Sequence, residues 1–304
     1  MQDSFDTYFI HRLSNGIRIV FKPVASNITH LGLFINVGSR DEMDNEHGLA
    51  HLIEHVIFKG TRKRKLHQIL SCLENVGGEV NAFTSKEETC IQAAFMRGYL
   101  SRALDLISDI LLNSVFPINE IEKEKKVIID EINYVKDNPS DYIFDEFDSL
   151  LFPNSRLGRN ILGIPEKINN YNRDHIIDFI NRNYVPENIV ISVVGNYTTS
   201  KLFSEIERYF NHYPIRNKCN NREKPEIAKP FKIESKKNIL QSHCVLGVSG
   251  YCYYNNKRYA LHLLNNIIGG PTMNSRLSMI LREKYGYSYN VESSYVSYCD
   301  TGIF

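Results

Sequence analysis

From Tyr8 to Pro23 apolar and polar residues alternate on either side of Asn15-Gly16, the pattern of two strands joined by a tight turn. A further strand is predicted over Thr29–Val37. Between His47 and Thr61 the period changes, and Leu49, Leu52, Ile53, Val56 and Ile57 recur at the spacing of a helix that buries one face. Helical spacing returns over Leu66–Val76 and stops at Gly77-Gly78. Alternation then predicts strands from Glu79 and over Thr89–Phe95. Helices are predicted at Leu100–Leu112 and Asn119–Lys136, and the chain from Ile161 to Asn181 reads as mostly helical. The apolar run Ile189–Gly195 suits a buried strand, and Ser200–Phe210 a last helix. Hairpins mixed with helices predict an α+β fold, a mixed or antiparallel sheet covered by helices.

From 216 to 230 the periodicity lapses into a polar, proline-bearing linker. Beyond it the order of elements begins again, with strand His243–Tyr251 in the place of the strand ending at Val37 and helix Tyr259–Gly269 in the place of the helix within 47–61. Setting Ala50–Ile57 beside Leu261–Ile268 puts His262, Asn265 and Asn266 opposite His51, Glu54 and His55. The sequence therefore predicts duplicated domains, a complete one over 1–215 and a second copy of the same fold over 231–304. Phe304 falls opposite about position 96 of the first copy, so the second copy is expected to be cut short, within a protein of about 400 residues or more. Its strands Val291–Ser297 and Thr301–Phe304 would then expose apolar side chains unless another chain covers them.

The 304 residues, 42% of them hydrophobic, carry a net charge of +1 with both signs interspersed. That balance gives no electrostatic case for nucleic acid or an anionic membrane and leaves peptides or neutral substrates open. Met1–Ile10 has no basic-then-apolar run and no stretch nears eighteen consecutive apolar residues, so a cytoplasmic protein with no membrane partner is expected. Six scattered cysteines without a Cys-x-x-Cys pair predict reduced thiols packed as small core residues.

The candidate chemistry lies in the helix within 47–61. His51 and His55 are four apart, hence one above the other on one helix face, the separation at which two imidazoles grip one metal ion. Glu54 precedes the second histidine and could take a proton from a water attacking a carbonyl. Taken singly, either histidine is more simply a satisfied core residue; the order His-x-x-Glu-His is the inverzincin signature. His47, beside Gly48 at the expected helix start, reads as a cap or a solvated residue.

Several motifs in order, Gly38-Ser39-Arg40-x-Glu42, His51-x-x-Glu54-His55, Gly77-Gly78-x-x-Asn81-Ala82-Phe83-Thr84-Ser85, Glu124 to Glu131, Leu157-Gly158-Arg159-x-Ile161-Leu162-Gly163 and Leu281-Arg282-Glu283-Lys284, resemble the pitrilysin-type zinc metallopeptidases. That family includes insulin-degrading enzyme and the mitochondrial processing peptidases, and the likeness runs from about residue 10 to the chain end. The resemblance implies one zinc ion per chain, held by His51, His55 and Glu131. Spacing alone leaves Glu120, Glu122, Glu124 and Glu131 as rivals for the third ligand. It further implies that Glu54 is the general base and that Glu124 orients a metal-binding histidine. Asn81, Ala82 and Phe83 would lie on the edge strand that pairs with substrate, with Arg282 holding the peptide and Tyr289 donating to the oxyanion. The implied activity is a zinc endopeptidase for unfolded or short peptides, working as a homodimer or with a related subunit. The alternatives are a non-catalytic partner subunit with an assembly role and a structural zinc module, in which Glu54 would be an unneeded buried charge.

Overall fold

The computed structural model describes residues 7–216 and 222–304, and the chain divides into two compact units. One unit takes the chain up to Val135 and again from Arg159 to Arg222; the other joins Lys136–Gly158 to Glu223–Phe304. Residues 136–158, placed in the first domain by the sequence pattern, thus cluster with the second unit. Part of the expected linker, with Cys219, lies outside the described residues.

The first unit is built on a mixed sheet of six strands: β1 (Phe9–Arg12), β2 (Arg18–Pro23), β3 (Ile28–Ile35), β4 (Glu79–Thr84), β5 (Thr89–Met96) and β6 (Ile189–Gly195). Their spatial order is β1-β2-β6-β3-β5-β4, and every neighbouring pair is antiparallel except β2 with β6. Asn15 and Gly16 lie between β1 and β2, with Gly16 at φ +105°. The Asn15 amide also donates to Phe210 O (2.8 Å), which ties the turn to the last helix of the unit.

One face of the sheet carries Ile19, Phe21, Leu31, Leu33, Ile35, Ile91, Phe95, Ile189, Ile191 and Val193, all buried. Side chains in a strand alternate between faces, so the period-2 pattern of the sequence becomes this single apolar surface. The helices α1 (Leu49–Ile57), α2 (Leu66–Glu74), α3 (Leu100–Asn113), α4 (Ile118–Asp137), α6 (Pro165–Asn170), α7 (Arg173–Asn183) and α8 (Thr199–Phe210) contribute their apolar stripes to the same core. Truncating one of its fully buried leucines or isoleucines to alanine costs about 2–5 kcal/mol. The stretch expected to be mostly helical from Ile161 is broken at Asn172, whose Oδ1 accepts from Asp174 N (3.0 Å) and His175 N (3.1 Å) and starts α7 afresh.

The second unit contains α5 (Pro139–Leu151), a helix the sequence pattern did not predict, opened by a proline at its first turn. Leu151, Phe152 and Leu157 form its small core, with Phe147, Tyr298 and Ile303 against them. The strand expected at His243–Tyr251 is reduced to β7 (Ser249–Gly250), and that at Val291–Ser297 to β8 (Val296–Ser297); β9 (Gly302–Ile303) pairs with both. The expected helix is present as α9 (Arg258–Gly269). Cys72, Cys90, Cys244 and Cys252 are free thiols, and among the described residues no helix is long and apolar enough to cross a membrane.

Candidate metal centre

The site is organised by α1, which is buried at Leu49, Ala50, His51, Leu52, Ile53, Val56 and Ile57. A helix start leaves backbone N–H groups without partners, and a buried one needs an acceptor brought to it. Here the acceptor is Glu42, whose Oε2 takes Gly48 N–H (2.9 Å) and Oε1 takes Ala50 N–H (2.8 Å). Burial pushes the Glu42 carboxyl up to about 8, and the two backbone hydrogen bonds oppose that rise. The role of cap expected for His47 therefore belongs to Glu42. His47 itself is half-buried, its Nε2–H donating to Asn160 O (3.0 Å).

Gly48 lies at φ +91° against the loop that carries the Leu-Gly-Arg motif: a Cβ there would stand 2.7 Å from Leu162 O and 2.8 Å from Gly163 Cα. Gly163, at φ +84°, would in turn meet Gly48 Cα at 2.6 Å. Two glycine backbones in contact thus set the start of the helix two residues before the first imidazole.

Three donor atoms, one each from His51, His55 and Glu131, lie within 4.8 Å of one another. Glu131 Oε2 is 3.8 Å from His51 Nε2 and 3.6 Å from His55 Nε2. Ligands each about 2.1 Å from a shared zinc ion in a tetrahedral arrangement stand about 3.4 Å apart, so both distances from Glu131 lie within a few tenths of an ångström of that separation. Burial, with the charge of neighbouring His55, pushes His51 down to about 4, which keeps it neutral as a ligand must be. The donor set fits zinc.

Glu124, two turns before Glu131 on α4, accepts from His55 Nδ1–H at 3.0 Å through Oε2. That bond leaves the Nε2 lone pair free on the side of Glu131. Burial would raise the Glu124 carboxyl, yet hydrogen bonds from Lys59 and His55 outweigh it and hold the group below the ordinary carboxylate range. Neither its spacing nor its type separates Glu124 in sequence from the solvated glutamates beside it; its burial does.

Glu54 lies beside Thr84 at the end of β4, and burial raises its carboxyl above the usual range. Asn81, Ala82 and Phe83 lie on β4, the last strand in the sheet order, with Asn81 and Phe83 exposed and Ala82 half-buried. The turn after β4 is locked to the segment leading into α1. Ser39 N donates to Ser85 O (3.1 Å), Arg40 N to Lys86 O (2.8 Å), and Arg40 Nη1 to Glu87 Oε1 (2.6 Å). The Gly-Ser-Arg motif is therefore the joint between metal helix and edge strand, a role its sequence does not announce.

Arg282 and Tyr289 belong to the second unit. Arg282 lies in a π-helical stretch, Ser278–Lys284, and its guanidinium sits 4.8 Å from the centre of the exposed Tyr289 ring. His262, Asn265 and Asn266 lie on α9, where the pattern His-x-x-Glu-His is absent.

The chain belongs to the M16 peptidase family, and α1 carries the inverzincin order His-x-x-Glu-His. Residues 21–164 match the family model for insulinase (peptidase family M16), and residues 170–304 the model for the peptidase M16 inactive domain. The chain is 37% identical over 291 residues to the uncharacterized zinc protease YmxG of Bacillus subtilis, covering 95% of this chain and 70% of that protein. It is 31% identical over 310 residues to the mitochondrial-processing peptidase subunit beta of Dictyostelium discoideum, covering 97% of this chain and 66% of that one. A protease from Helicobacter pylori has the same fold, with a TM-score of 0.87 at 22% identity over 98% of this chain and 73% of its own.

Proposed function

We propose that this chain is a zinc-dependent endopeptidase acting on unfolded or short peptides. The observation that carries the reading is the convergence of His51 Nε2, His55 Nε2 and a Glu131 carboxylate oxygen, with the Glu54 carboxylate one residue before His55 on the same buried helix. A zinc ion bound by the three would act as a Lewis acid and acidify water near neutrality. Glu54, anchored beside Thr84, accepts the proton from the attacking water and returns it to the leaving amine. Glu124 holds His55 in the tautomer that leaves Nε2 free.

Substrate would add as a further strand on the outer edge of β4, pairing its backbone with the segment Asn81–Phe83, whose strand ends beside Glu54. Such pairing reads main chain more than side chains, so it selects extended peptides. In this reading Arg282 holds the peptide, Tyr289 donates to the oxyanion, and a second copy or a related subunit completes the assembly. The second half carries no base, because Asn265 and Asn266 stand where Glu54 and His55 stand in the first.

The test compares bound zinc and cleavage of a mixed peptide library for wild type, Glu54→Gln and His51→Ala. Glu54→Gln should keep zinc and lose turnover by roughly 10²- to 10⁴-fold, while His51→Ala should lose the metal. Undiminished cleavage by Glu54→Gln would remove Glu54 from the mechanism.

A further inference from the structure

We infer that Lys59 is a positioning residue of the metal centre: its ammonium group fixes the Glu124 carboxylate and, through it, aims the His55 imidazole at the metal position. The inference rests on the zinc reading above. Lys59 follows His55 by four residues, just past the end of α1, so the two side chains leave the helix on one side. Both reach the same carboxylate. Lys59 Nζ stands 2.7 Å from Glu124 Oε1 while His55 Nδ1 stands 3.0 Å from Oε2, so each oxygen is committed to a different donor.

The consequence is orientational. The last torsion of a glutamate side chain is soft, with broad wells instead of three sharp ones, so a single hydrogen bond to His55 leaves the carboxylate plane free to swing. A second donor on the other oxygen stops that swing. With the acceptor so held, the ring's own torsion is fixed with Nε2 towards Glu131, 3.6 Å away. The pair is shielded, with side-chain exposures of 21% for Lys59 and 12% for Glu124, which sets it apart from the surface ion pairs whose geometry water scrambles.

Lys59 is itself held in place. Its N–H donates to Val56 O (3.1 Å), and Val115 N–H donates to Gly60 O (3.1 Å). Thr61 Oγ1 donates to the buried Asp109 carboxylate at 2.7 Å. The loop after α1 is thus pinned to α3 and to the segment that joins α3 to α4, the helix that carries Glu124 and Glu131. A residue at the end of one ligand helix reaches the other ligand helix, and the link runs through a side chain that touches His55.

The experiment measures zinc affinity of the whole chain by competition with a chromogenic chelator, together with thermal unfolding of the zinc-free proteins. Wild type, His51→Ala, Lys59→Met, Lys59→Arg, Glu124→Gln and the double variant Lys59→Met/Glu124→Gln are compared, with Lys59→Gln standing in should the methionine variant not fold. Lys59→Met should weaken zinc binding about 10-fold, at the lower end of the effect of groups behind metal ligands, and Lys59→Arg should restore it to within about threefold of wild type. In the Glu124→Gln background the same change should cost less than about threefold, because the carboxylate through which Lys59 acts is gone. A merely structural lysine would lower the melting temperature of the zinc-free protein and leave the affinity unmoved. Equal zinc affinity of Lys59→Met and wild type, or an undiminished loss in the Glu124→Gln background, overturns the inference while the zinc reading stands on the loss of metal in His51→Ala. If His51→Ala binds zinc as wild type does, both fall.

Discussion

Replacing Gly48 with alanine tests whether the start of the metal helix is set by backbone contact. The added Cβ meets two separate obstacles. The residue sits at φ +91°, a left-handed backbone that costs an L side chain about 1–2 kcal/mol. The Cβ would also stand 2.7 Å from Leu162 O, 2.8 Å from Gly163 Cα and 2.8 Å from Ile168 Cδ1, and such overpacking adds about 1–3 kcal/mol. Gly77 is the matched control, at φ +74° with nothing within 4 Å of the added atom, so Gly77→Ala carries only the backbone cost. Gly48→Ala should therefore lose about 2–5 kcal/mol and Gly77→Ala about 1–2 kcal/mol. For a domain of this size each kcal/mol moves the melting temperature by about 2–4 °C, which calorimetry of the zinc-free proteins resolves. Gly48→Ala should in addition weaken zinc binding, since His51 is three residues on, whereas Gly77→Ala should not. Equal losses in the two variants, or full zinc affinity in Gly48→Ala, would refute the account of the helix start.

Two further outcomes are expected. Stripping zinc with a chelator should lower the melting temperature: at free zinc about 100-fold above Kd the ion contributes about 2.7 kcal/mol, and an unchanged melting curve would count against a metal bound in the folded state. A compact protein should resist cleavage while its denatured, alkylated form is cut, because pairing on β4 needs an exposed extended backbone; equal rates for the two forms would exclude that mode.

Periodicity made the sheet and most helices of the first unit legible because each buries one face. Leu31, Leu33 and Ile35 alternate on β3, and Leu49, Leu52, Ile53 and Val56 follow the helical repeat on α1. The same rule explains the misses in the second unit. Helix α5 buries only Leu151, so it has almost no stripe to read, and β7 and β8 pair over two residues each, too few for alternation to mark their limits. In the site, His51 and His55 were legible because one helix carries both at a fixed offset. Glu131 needed the family's spacing, since nothing in α4 itself ranks it above Glu120 or Glu122. Glu42 and Lys59 were not read at all: the partner of Lys59 is on another helix, and that of Glu42 is the backbone of Gly48 and Ala50.

The contrast between α1 and α9 shows what a buried metal helix demands of the rest of the chain. Burial does useful work on His51, holding it neutral with its lone pair available, but the same low-dielectric surroundings make each unmatched polar group costly. The first unit answers with a carboxyl group for the orphan N–H groups of α1, a carboxylate for His55 Nδ1 and an ammonium for that carboxylate, drawn from positions 42, 124 and 59. Helix α9 has asparagines at the positions of the base and the second ligand, and it buries only Gly269. Its remaining histidine, His262, packs edge-on against Tyr295 at 4.6 Å between ring centres. At its start the side-chain acceptor is the neutral amide of Asn255, whose Oδ1 takes Lys257 N–H (2.9 Å), where α1 has Glu42. Two of these three supports meet at His55, directly or through Glu124, which is the reason to look for the effect of Lys59 in zinc affinity before looking for it in stability.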